Sequence, residues 1–149
     1  MAVTDEQLRT LRAQLAGKTE EHLRMLGQLD PVEAKTGYSM LIGAAFFEAA
    51  ERRFIRNGKY VPDAEVIDFV AAVRSVNEDT AATLDPVIAE RILFAALDKG
   101  EIDDIDDATV LGHEMFLLAA MIADEGFSDE ELDAFLAQAR ETADQWLSQ

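Results

Sequence analysis

Apolar side chains recur every three or four residues along almost the whole chain, and no convincing stretch alternates between apolar and polar as a half-buried strand does. The clearest example is the carboxy-terminal segment, where one face of a helix carries Leu132, Phe135, Leu136, Ala139 and Ala143. This periodicity predicts an all-α fold.

Helix boundaries are marked by residues that satisfy the free backbone groups at helix ends. Capping-box patterns begin at Thr4 and Ser128, Asp-Pro pairs begin at Asp30 and Asp85, and Gly58 is a terminator. The predicted helices cover about residues 4–29 (one long helix or two short ones), 31–56, 62–76, 86–97, 107–123 and 128–147. Since 149 residues is the length of about one ordinary domain, we expect residues 1–149 to form a single all-α domain, a bundle of six or seven helices.

Two of these helices are apolar around nearly their whole circumference. They are the segments at residues 38–50 and 110–123. A helix that is apolar all round is one that other helices surround. We therefore expect the helices around residues 31–56 and 107–124 to lie at the centre of the bundle.

The charge of the chain restricts the partners that it can bind. Hydrophobic residues make up 49% of the sequence, enough for a folded domain despite a formal net charge of −17. Such a charge repels phosphate backbones and anionic lipids, so we expect no direct binding to nucleic acid or to membrane surfaces. A protein that mimics DNA is the one exception that this charge leaves open.

Cysteine is absent from the sequence, which excludes disulfides, thiolate nucleophiles and Cys-based zinc sites. The longest apolar run, residues 115–123, is far shorter than the roughly 20 residues that span a bilayer. The first residues lack the basic region and apolar stretch of a signal peptide. We therefore expect a soluble, cytoplasmic protein.

Four carboxylates form two pairs on either side of a predicted hairpin between helices. Glu48 and Glu51 are three residues apart, as are Glu65 and Asp68, so each pair shares one face of its helix. If the two helices are antiparallel, the pairs stand at similar heights and can converge. Four converging carboxylates favour a hard cation such as Mg²⁺ or Mn²⁺.

This pattern resembles the carboxylate signature of the all-α nucleoside triphosphate pyrophosphohydrolases of MazG type. The resemblance covers residues 48–68, with Phe47 where an acidic residue commonly precedes the first Glu. It implies a helical, usually oligomeric protein in which Glu48, Glu51, Glu65 and Asp68 hold Mg²⁺ and water attacks a nucleotide phosphate.

Glu51 belongs to one of the two all-round apolar helices, in line with Ala44 and Phe47. A charge on that side is costly without a partner. The partner can be a metal ion, or it can be an arginine such as Arg52 or Arg56, in which case Glu51 is an ion-paired structural residue.

His113 and Glu114 lie inside the other all-round apolar helix. Such a pair can serve a metal or acid–base site, although a histidine in this setting is more often a hydrogen-bonded core residue. The only other histidine is His22, so a multi-histidine zinc site is excluded.

The acidic run at residues 98–107 invites a Ca²⁺ interpretation. Placing Gly100 at the glycine of a calcium loop puts Ala95, Leu97 and Lys99 where carboxylates are needed, so that register fails. Acidic side chains before a helix favour its amino terminus in their own right, and we expect a capping and solvating role.

With no recognisable catalytic motif, we expect a non-catalytic module that binds a protein partner or forms a homo-oligomer. The expected contact surface is a heptad-like stripe near the amino terminus. It consists of Leu8, Leu11, Leu15, His22, Met25 and Leu29.

Overall fold

The computed structural model describes residues 2–149, and most of them lie in helices, which confirms the predicted all-α fold class. The helices are α1 (Asp5–Leu15), α2 (Thr19–Gln28), α3 (Pro31–Glu33), α4 (Ser39–Phe54), α5 (Asp63–Arg74), α6 (Glu78–Thr83), α7 (Pro86–Ala96), α8 (Asp107–Glu125) and α9 (Asp129–Leu147). A π-helix, Ala34–Tyr38, joins α3 to α4, and two short strands, β1 (Ile55–Arg56) and β2 (Lys59–Tyr60), separate α4 from α5.

The described residues form two compact units, whose boundaries along the chain fall inside α4 and α8. The first unit contains residues 2–45 and 122–149, and the second contains residues 46–121. The expectation of a single domain stays a prediction.

In the first unit, α1 packs against both α2 and α9. The chain start is fixed on α9, because the backbone N–H of Val3 donates to Asp144 (2.8 Å) and its carbonyl accepts from Arg140 (2.7 Å). Arg140 also pairs with Asp5 at 2.7 Å, and this pair lowers the pKa of the Asp5 carboxyl. The core of this unit includes Val3, Leu11, Leu41, Ile42, Phe135, Leu136 and Ala139.

In the second unit, a tight hairpin follows the end of α4. Ile55 pairs with Tyr60 and Arg56 with Lys59, which leaves a two-residue turn of Asn57 and Gly58. Both turn residues have positive φ (54° and 76°), as a type I′ turn requires. The hairpin therefore reverses the chain between α4 and α5.

Beyond the hairpin, α5 packs against α6 and α7. The side chain of Arg74 holds the end of α6 by donating to the carbonyls of Leu84 (2.8 Å) and Ala81 (3.0 Å). The core of this unit includes Phe46, Phe54, Val66, Phe69, Leu84, Ile92, Leu93, Leu117 and Leu118.

The helix ends follow the capping signals of the sequence. Thr4 and Ser128 form capping boxes, and Asp30 and Asp85 cap α3 and α7. The short helix α6 is an addition to the predicted set, and with it residues 2–149 form eight helices of at least six residues.

The all-round apolar helices differ in how far they are enclosed. In α4 most apolar residues are buried, whereas α8 buries side chains only from Leu117 onward, and Phe116 is exposed. Within residues 2–149, no helix is long and apolar enough to cross a membrane.

Candidate functional site

The predicted carboxylate pairs lie on α4 and α5, but the burial differs from the expectation. Glu51 is exposed to solvent, and the neighbouring Glu48 is half-buried. The two residues differ by three positions, about 60° around a helix. Burial therefore disfavours a negative charge at Glu48. The expectation that a charge at Glu51 is costly is corrected, because Glu51 is exposed.

One carboxylate oxygen of Glu48, Oε2, is buried without a hydrogen-bond partner among residues 2–149. Burial raises the pKa of the Glu48 carboxyl, and the nearby positive charge of Arg52 opposes that rise. Glu48 thus carries an unsatisfied acceptor on α4, a feature that a donor or a cation would relieve.

The second pair has ordinary surface surroundings. Glu65 pairs with Arg56 across the hairpin, at 3.0 Å between Nη2 and Oε2, and Asp68 is exposed. Among residues 2–149, no group of three or more His, Cys, Asp or Glu side chains is placed to hold a metal ion. The four carboxylates are not assembled as a ligand set there, and a metal site at them stays a prediction.

His113 connects two helices of the second unit through both of its ring nitrogens. Nδ1 lies 2.8 Å from the carbonyl of Thr109, which only accepts, so Nδ1 carries the proton. Nε2 then accepts from the backbone N–H of Asp85 at 3.1 Å, at the start of α7. These contacts specify a neutral, hydrogen-bonded histidine that joins α8 to the amino terminus of α7.

Glu114 is half-buried on α8 beside this histidine in the sequence. Burial raises the pKa of its carboxyl to about 7. A carboxyl of this kind changes charge near neutral pH, and its first consequence is for the stability of the protein.

Acidic residues of the run before α8 form an ion pair with Arg91 and cap the amino terminus of α8. Asp104 forms a two-pronged pair with Arg91, at 2.6 and 3.0 Å, which lowers the pKa of the Asp104 carboxyl. Asp106 accepts from the backbone N–H of Thr109 at the amino terminus of α8. The expected capping role is confirmed at Asp106.

The stripe predicted as a contact surface is turned largely inward. Leu11 and His22 are buried, and the ring of His22 lies 2.8 Å from the carbonyl of Thr10, so this stripe joins α1 to α2. The apolar surface that α2 exposes lies beside this stripe, with Leu23 at 60% and Leu26 at 40% exposure. Their i, i+3 spacing is the sequence signal that the heptad-like stripe obscured.

Comparison of the chain with models of protein families, with curated proteins and with solved structures gives no match.

Proposed function

We propose that the protein is a non-catalytic, self-associating module, and that two copies meet through the α2 outer face, defined as Leu23, Leu26 and Gly27. The observation that carries the proposal is the exposure of two leucines on one side of a helix that buries only His22. Single exposed leucines are ordinary, but two on one helical face form a surface that another helix can cover.

Gly27 makes this surface suitable for a helix. It follows Leu26 directly and lies four residues after Leu23, so all three positions share one side of α2. Apart from its two chain neighbours and the backbone of its own helix, no atom of the described residues comes within 4 Å of where its Cβ would be. A glycine in open space on a helix face permits the close approach of a second helix backbone.

The local charge supports a second copy as the occupant. Residues 18–35 carry Glu20, Glu21, Asp30 and Glu33 against Lys18, Arg24 and Lys35. This segment is therefore nearly balanced, within a chain of formal net charge −17. Charges farther away than about 8 Å are largely screened at physiological ionic strength, so two such faces can approach each other. A basic partner would find stronger attraction elsewhere on the molecule.

Sedimentation velocity over a concentration series tests the proposal. We expect the wild type to show a monomer–dimer equilibrium, and Leu23→Gln/Leu26→Gln to remain monomeric at the same concentrations. The matched control is Ile67→Gln/Val76→Gln, which changes two exposed apolar residues of the second unit and should leave the equilibrium unchanged. A monomeric wild type at the highest concentration would overturn the proposal.

The salt dependence separates a second copy from a basic partner. Dimerisation of two acidic chains should strengthen as salt rises, because screening reduces their repulsion. Binding to a cationic amphipathic peptide should weaken as salt rises. If such a peptide binds wild type but not Leu23→Gln/Leu26→Gln, and the chain stays monomeric, the face serves a basic partner. We also propose that this association takes place in the cytoplasm.

A Mg²⁺-dependent nucleotide pyrophosphohydrolase is the alternative, and the buried, unpartnered oxygen of Glu48 favours it. A thermal unfolding midpoint that rises with Mg²⁺ or Mn²⁺ in the wild type, and not in Glu51→Gln, would support this alternative. Because Glu65 is already paired with Arg56, we expect no such rise.

A further inference from the structure

A cavity of about 320 Å³ lies in the first unit, between the start of α1 and the π-helix. It is lined by Ala2, Thr4, Gln7, Glu33 and Gly37. This volume is at the small end of ligand sites in proteins, which suits a molecule of few atoms. The lining combines hydrogen-bonding groups and one carboxylate.

Gln7 is the most deeply placed polar group of this lining, with only 2% of its surface exposed. Its Oε1 accepts from the backbone N–H of Thr4 at 3.1 Å, as the capping box requires. The capping box uses only the oxygen of the amide, and Gln7 lines the cavity, so the two N–H donors of Nε2 can reach an acceptor there. An amide with available donors at a cavity wall is a recognition group for an oxygen of a ligand.

Gly37 allows this amide to stand at the cavity wall. A Cβ at position 37 would lie 2.8 Å from Oε1 and 3.0 Å from Nε2 of Gln7. Any larger residue would displace the amide or fill the space beside it. Gly37 belongs to the π-helix, an element that is rare and often found at functional sites.

The remaining groups define the chemistry of the ligand. Thr4 has a hydroxyl that can donate, and the cavity lies at the amino terminus of α1, where the helix dipole favours a carboxylate. Glu33 contributes a negative carboxylate to the lining, which favours an ammonium group on the ligand. We propose that this cavity binds a free amino acid, with its carboxylate at Gln7 and Thr4 and its ammonium at Glu33.

Isothermal titration of the full-length protein with single L-amino acids tests the proposal. We expect at least one of them to bind, and Gln7→Glu to weaken that binding at least about tenfold, because the donors of Nε2 are replaced by an acceptor. Glutamate also serves in a capping box, so the change retains the cap of α1. Gln14→Glu is the matched control on the same helix and should bind as the wild type does.

Two further measurements keep the proposal falsifiable if Gln7→Glu is unstable. Glu33→Gln changes an exposed residue and should weaken binding at least about tenfold by removing the partner of the ammonium. The amino alcohol that corresponds to the best amino acid should bind more weakly, because its oxygen is uncharged. No binding by any amino acid, or equal binding by wild type and both variants, would overturn the proposal. Neither outcome bears on the α2 outer face.

Discussion

At the scale of single residues, the carboxyl of Glu114 makes the stability of the protein depend on pH. Burial raises its pKa from 4.5 to about 7, so the folded state binds this proton more tightly than the unfolded state. Stability is therefore highest below pH 4.5 as far as this group is concerned, and it falls as the pH rises from 4.5 through 7. Above pH 7 the folded protein carries a buried charge.

We expect Glu114→Gln to stabilise the protein at pH 8 and to have little effect at pH 4. Each pKa unit corresponds to about 1.4 kcal/mol, and with a discount for partial exposure the gain is on the order of 2 kcal/mol. Urea unfolding at both pH values measures it. Glu141→Gln, at an exposed position of α9, is the matched control. An equal gain for both variants at pH 8 would contradict the burial argument.

Tyr38 is a second residue whose burial works against stability. Only 7% of its surface is exposed, and its hydroxyl has no hydrogen-bond partner among the described residues. Burying an unpaired hydroxyl costs about 1–3 kcal/mol. We expect Tyr38→Phe to raise the free energy of unfolding by about 1 kcal/mol, as measured by urea unfolding. Tyr60→Phe, at a residue that is 47% exposed, should change it by less than about 0.5 kcal/mol.

The difference between Glu48 and Glu51 shows where sequence reasoning stops at this scale. The sequence of an amphipathic helix indicates which side faces solvent. Helix α4 is apolar nearly all round, so its sequence does not indicate this side. A rotation of about 60° exchanges the buried and exposed positions of two glutamates three residues apart. Only the packed structure decides which one is half-buried.

At the scale of elements, the hairpin between α4 and α5 depends on its two turn residues. Gly58 has φ of +76°, a conformation that costs other residues about 1–2 kcal/mol. We expect Gly58→Ala to lower the free energy of unfolding by about that amount. Gly112→Ala should instead raise it by about 0.5–1 kcal/mol, because Gly112 lies within α8 with open space around it. Denaturant unfolding of both variants checks the opposite signs, and equal signs would contradict the turn assignment.

The helices and strands differ in how clearly the sequence predicts them. Asn57-Gly58 between Ile55 and Tyr60 is a strong hairpin signal, and the helical periodicity on both sides masked two strands of two residues each. Helix α6 has no apolar periodicity, and its start is fixed by Asn77, whose side chain accepts from the backbone N–H of Thr80. Caps and long periodic helices are local features, so they were predictable.

The α2 helix illustrates the same limit for surfaces. Its apolar residues form an arc that is wider than one packed face, and the sequence does not say which part of the arc α1 covers. In the structure the side with His22 faces α1, which leaves Leu23 and Leu26 exposed. The sequence predicts a protein contact without locating it, and the choice of the α2 outer face for the proposal required the packing.

At the scale of the whole molecule, 30 acidic against 13 basic residues make the folded chain repel itself. Exposed ion pairs such as Arg140 with Asp5 lose strength in salt, but each contributes little to stability. The excess of negative charge is larger, so screening should favour the folded state on balance. We therefore expect salt to act on the folding of this protein, and on the proposed dimerisation as well.

We expect the thermal unfolding midpoint to rise when NaCl is raised from about 10 to about 200 mM, over which the screening length shortens severalfold. The rise should persist in Leu23→Gln/Leu26→Gln if it comes from screening within one chain, whereas a rise that vanishes there comes from dimerisation through the α2 outer face. MgCl₂ at matched ionic strength separates screening from a metal site: an extra rise in the wild type that Glu51→Gln removes would favour the carboxylate site. A midpoint that falls with NaCl would mean that ion pairs outweigh the net repulsion of the −17 charge.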